Sequence, residues 1–136
     1  MSNVYTRFPN IEDVLRYLLL DKFPDELPDE TRIGSDFPDS DNGYFVRIEK
    51  MGGVRTRLVD YPTVDIEVVA PTYGQVESLS ESISMLLLGY PHTIATPSGV
   101  AVLDSVDETS SFAEYPYPDS SYRRLSATYD LSLRGN

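Results

Sequence analysis

The chain has no cysteine, no tryptophan and one histidine, and it sets only 11 Lys and Arg against 22 Asp and Glu in 136 residues. Without cysteine, disulfides, thiolate metal sites and cysteine nucleophiles are excluded together. His92 is then the one imidazole available. Placed after Gly89-Tyr90-Pro91, it reads as a turn histidine, because a base or ligand needs partners this neighbourhood lacks. HExxH, GxSxG, Walker and GxGxxG patterns are also missing, so no catalytic residue, metal ligand set or cofactor is predicted. Long apolar runs are absent too: residues 17–20 are too few for a membrane span or a signal-peptide core, and Arg16, Asp21 and Lys22 flank them. A soluble, unprocessed chain with no membrane partner is expected.

The scarcity of positive charge bears on partners. A net charge of −11 disfavours general attraction to a phosphate backbone. The imbalance is uneven: residues 1–42 hold ten acids and four bases, whereas residues 43–71 hold four of each. At 136 residues the expectation is one domain with a core of its own.

Two helices are legible. Asn10 precedes Ile11, Val14, Leu15, Leu18 and Leu19 at helical spacing, which predicts a capped helix over 11–22 that stops before Phe23-Pro24. Thr72 and Gln75 form a capping-box pattern ahead of Val76, Leu79, Ile83, Leu86 and Leu87, with Gly89 and Pro91 closing the segment. Alternation over 44–50 and 63–70 predicts half-buried strands. Further strands are predicted over 100–106 and 122–134, with an edge strand near 31–34. Residues 51–61 are expected to form a long hairpin connection, in which Gly52 and Gly53 supply positive φ angles. Residues 91–99 and 107–121 are expected to be loops. The order predicts an α+β fold: a mainly antiparallel or mixed β-sheet with two amphipathic helices packed on one face.

Three stretches compete for function. The acidic segments 25-DELPDE-30 and 36-DFPDSD-41 lack the EF-hand spacing and read as a solvated acidic face with at most weak divalent-cation binding. The hairpin carrying Gly52, Gly53, Arg55 and Arg57 lacks the helix N-terminus of a phosphate cradle. It is either a solvated hairpin or one that meets a partner's carboxylates. Tyr115 and Tyr117 of 115-YPYP-118 either pack over the sheet edge or form an interface loop.

The run 44-YFVRIEKMGGVRTRLVDYPTVDIEVVA-70, the helix over 11–20 and the segment 122-YRRLSATYDLSLRG-135 together resemble the tail terminator proteins of long-tailed, non-contractile bacteriophages, above all those of actinobacteria. The chain departs from that pattern in the acidic stretch 25–42 and the loop 112–118. The resemblance implies a non-enzymatic virion protein at the head-proximal end of the tail, assembled in the host cytoplasm. It implies a homo-oligomer, a hexameric ring that caps the tail tube protein, stops tube growth and offers a joining surface to a head-completion or stopper protein. Genomic DNA would pass through the channel without specific binding. Gly52, Gly53, Arg55 and Arg57 match the family's hairpin and are implied in ring or tube contacts. Competing readings are another neck or tail component, such as a head-closure or minor tail protein, and a small ligand-binding regulatory module.

Overall fold

The computed structural model describes residues 8–34, 43–114 and 122–135. Helix α1 spans Ile11–Lys22, and the Asn10 side chain accepts from the backbone N–H groups of Glu12 and Asp13 at 2.8 and 3.3 Å. Ile11, Val14, Leu15, Leu18 and Leu19 are all buried, so the apolar stripe is the core-facing side. Helix α2 spans Tyr73–Leu88. Its capping box is reciprocal: the Gln75 N–H donates to the Thr72 hydroxyl at 3.3 Å, and the Thr72 N–H donates to the Gln75 side chain at 3.2 Å.

Six strands form one sheet: β1 (Ile33–Gly34), β2 (Phe45–Arg55), β3 (Asp60–Ala70), β4 (His92–Thr96), β5 (Gly99–Glu114) and β6 (Arg123–Gly135). A 3-10 turn over Glu30–Arg32 leads into β1. The spatial order is β1-β2-β3-β6-β5-β4, with β1 parallel to β2 and the other pairs antiparallel. The C-terminal strand therefore lies between β3 and β5. Period-two side-chain alternation puts Val64, Ile66 and Val68 of β3 on the same face as Leu125, Ala127, Tyr129, Leu131 and Leu133 of β6, and both helices close over that face in one apolar cluster.

The helices cover it differently. α2 lies over β3, β6 and β5, whereas α1 touches β2 and β4. Four strand spacings of about 4.8 Å separate β2 from β4, roughly 19 Å, and 12 helical residues span about 18 Å. α1 therefore runs crosswise over the sheet. Its first turn is tied to β2 where the Lys50 N–H donates to Glu12 Oε2 at 3.2 Å, and its last turn adjoins His92 and Ile94 of β4.

This architecture matches the expected α+β class, with both helices on one face, and extends the strands. Residues 51–61 are not a long connection: β2 continues to Arg55 and β3 begins at Asp60, leaving only residues 56–59 as the turn. A bulge between Lys50 and Gly52 inserts Met51 and shifts the register, so side-chain parity reverses there. Residues 92–96 are strand β4, not loop, and β5 runs on through 107–114. His92 starts β4 instead of sitting in a turn, with its Nε2 2.7 Å from the Leu86 carbonyl oxygen. The edge strand near 31–34 shortens to Ile33–Gly34.

Candidate functional site

The β2–β3 hairpin closes in a tight turn at one end of the sheet, where β3 is still paired with β6 at Asp60–Leu133. At its turn the Thr56 N–H donates to the Val59 carbonyl at 2.8 Å, the Thr56 hydroxyl donates to the same carbonyl at 3.0 Å, and the Val59 N–H donates back to that hydroxyl at 3.0 Å. Arg57 and Leu58 are left at the apex. Gly52 and Gly53 hold φ angles of 129° and 133°, the positive region expected for them. At Gly53 an added Cβ would run into the Tyr61 carbonyl and lie 2.7 Å from Pro62 Cα. The backbones can approach this closely only because a side chain is missing.

The two arginines have different situations. Arg55 donates through Nε and Nη2 to the two carboxylate oxygens of Asp60 at 3.3 and 3.4 Å, and its guanidinium also lies 5.0 Å from the Phe8 ring centroid. Asp60 is 3% exposed, so this guanidinium supports a nearly buried carboxylate. Arg57 is exposed and makes no hydrogen bond or ion pair among the described residues. Around it Met51, Val54, Leu58 and Tyr61 are 55%, 68%, 67% and 44% exposed, and Val54 sits opposite Tyr61 across the strands. Four large apolar side chains are thus exposed along one hairpin, more than singly scattered surface residues would give. The sequence held this signal, and reading 51–61 as a connection hid it.

A second feature lies at the other end of the sheet. An open groove of about 890 Å³ runs between α2 and the distal half of β5. Tyr73, Glu77, Ser80, Glu81 and Ser84 line the helical wall, and Glu108, Ser111, Phe112 and Glu114 line the strand wall. Glu108 is its anchor: Ser84 donates to Oε2, and so does the buried Tyr129 hydroxyl at 2.9 Å. Burial pushes the Glu108 carboxyl up, but the Ser84, Ser111 and Tyr129 hydroxyls outweigh it and hold the group below its ordinary range. Burial, with the bond to Glu108 adding to it, raises Tyr129 well above its usual value. Ser80 is 2% exposed, and its hydroxyl has no partner among the described residues. Glu114 forms a loose pair with Arg123 at 3.9 Å.

The helix-free face of the sheet is polar along its middle, between the buried Phe45–Val69 pair and the exposed Val54–Tyr61 pair. Thr63 donates to Asp130 and Thr128 to Asp65, both at 2.7 Å, while Arg47 and Arg124 approach Glu67 at 3.7 and 3.6 Å. Tyr115, Tyr117 and the acidic stretch 36–41 lie outside the described residues. Among the described residues no group of three His, Asp or Glu is placed to hold a metal, and no helix is long and apolar enough to cross a membrane.

No protein-family model and no curated protein matches the chain. Among solved structures, it is similar to a chain in the virion of a native gene transfer agent particle, with a TM-score of 0.53 and 11% identity over 78% of this chain and 81% of that one. At that identity the likeness concerns the path of the backbone.

Proposed function

We propose that this protein is a structural, non-enzymatic virion component, and within that class a tail terminator. Copies form a ring on the last ring of the tail tube, stop its polymerisation and present a surface for joining the head. The observation that carries the reading is the shared fold: one backbone path over 78% of the chain, common to a component of a virion particle. Fold alone does not choose a function. Two features of this chain narrow the choice: the resemblance carried by 44–70 to terminator proteins, and a hairpin at the sheet end whose exposed Met51, Val54, Leu58 and Tyr61 suit a protein that works in contact with others. Gly52 and Gly53 shape that hairpin, Arg55 braces it, and Arg57 is offered to a neighbour.

Electron microscopy of particles made without the protein tests the assignment. Tubes longer than the wild-type length, shortened again when the purified protein is added during assembly, are the expected result. Tails of normal length beside leaking heads would instead assign it to head closure.

A further inference from the structure

The acidic groove and the basic hairpin have complementary chemistry within one molecule and cannot meet within it. From Leu58 at the apex to Val64 of β3 is six residues, about 20 Å of extended chain. Val64 pairs with Tyr129, and Tyr129 with Glu108. The groove lies from that level toward Ala70, while the hairpin leaves in the opposite direction. A contact between them therefore needs two copies.

We infer that the groove between α2 and β5 receives the β2–β3 hairpin of a second copy of this chain, so that copies join head to tail. Four carboxylates line the groove, those of Glu77, Glu81, Glu108 and Glu114, and the one cation against its walls, among the described residues, is Arg123 at the rim, loosely paired with Glu114 and 5.8 Å from the Tyr73 ring centroid. The outer hairpin, residues 51–60, carries Arg55 and Arg57 against one acid, Asp60. Arg55 is engaged with Asp60, which leaves Arg57 as the incoming charge. The orphaned Ser80 hydroxyl is an independent indication of a missing guest: a buried polar atom without a partner costs stability, and a guanidinium with five N–H donors supplies one. Phe112 on the groove wall gives Leu58 apolar surface to cover. Because the two patches differ and sit at opposite ends, the contact is heterologous, the type that closes into rings or runs on as filaments. The inference rests on the ring reading above for closure, though not for the contact itself.

The absence of cysteine makes the contact testable by cross-linking, on the free protein and on particles assembled from it. Arg57→Cys and Glu81→Cys chains, each with the circular dichroism of the parent, are mixed and treated with a short bis-maleimide linker. A cross-linked pair in the mixture and none in either variant alone is expected, and a chain carrying both substitutions should give a ladder that stops at the copy number of the ring. Arg57→Glu and Glu77→Arg/Glu81→Arg should each weaken self-association roughly tenfold or more, and combining them should restore it. Cross-linking of Arg57→Cys chains to one another would overturn the inference, as would linkage of Glu81→Cys to a different virion protein. A ring seen by native mass spectrometry without the mixed cross-link would overturn it and leave the ring reading standing. Mixed cross-links in an unlimited ladder would support the contact and count against the ring. Absence of the cross-link from both free protein and particles would overturn it.

Discussion

Glu108 shows how a single carboxylate is set by its neighbours. It sits between helix and sheet and keeps its charge because Ser84, Ser111 and Tyr129 donate to it. Its folded-state pKa lies below the ordinary value of 4.5. The stabilisation it brings is complete above that pH and is lost as the pH falls through the folded value. Glu108→Gln should therefore lower the melting temperature by roughly 3–8 °C at pH 7, the effect of weakening hydrogen bonds to a charged group. The gap to wild type should narrow as the pH falls below the ordinary carboxylate value of 4.5. Melts recorded across that range check this, and a gap independent of pH would assign the loss to packing. The sequence marks Glu108 only as one acid in the supposed loop 107–121. What singles it out, Ser84 from α2 and Tyr129 from β6, comes from residues 24 and 21 positions away.

Among the elements, the β2–β3 ribbon depends most on local backbone chemistry. Gly53 combines a positive φ with a backbone contact that leaves no room for a side chain. Gly53→Ala forces the ribbon to open and should cost about 1–3 kcal/mol, seen as a lower denaturation midpoint, with faster hydrogen exchange at Val54 and Tyr61 than at Val64 and Ile66. Unchanged exchange at the ribbon would show that the close approach is not needed. Alternation predicted β2 up to Lys50 and failed there for a definite reason: the bulge at Met51 reverses parity, and exposed apolar residues follow where polar ones belong. β4 escaped notice because only Ile94 is buried and prolines flank it. Bulges between Leu103 and Ser105 and on either side of Ser110 likewise erased the period in the outer half of β5.

For the whole molecule, net charge and local charge act in opposite directions. Six copies at −11 each would carry −66, a repulsion spread over distances longer than the screening length of about 10 Å at 0.1 M salt. A contact between Arg57 and the groove acts over a few ångströms and survives until the screening length falls to about 3 Å near 1 M. Self-association measured by sedimentation should therefore pass through a maximum at intermediate salt, or with a few millimolar magnesium (~5 mM), which screens more strongly. A steady fall from the lowest salt upward would show that repulsion between copies does not matter. The same scale sets the architecture: α1 crosses the sheet from β2 to β4, and one helix thereby ties strands far apart in the spatial order.

Helix caps, helix faces and the inward side of β3 and β6 were legible because each depends on residues within a few positions of one another. Asn10, the Thr72 and Gln75 box and the alternating 125–133 act through hydrogen bonds and periods that any local window contains. Strand order, the crosswise path of α1 and the groove around Glu108 were decided only in the tertiary structure. Inserting β6 between β3 and β5 brings together side chains more than sixty positions apart, such as Thr63 with Asp130. The free energy of such contacts comes from burial and pairing after the chain has closed on itself, and no local pattern records which closure that is.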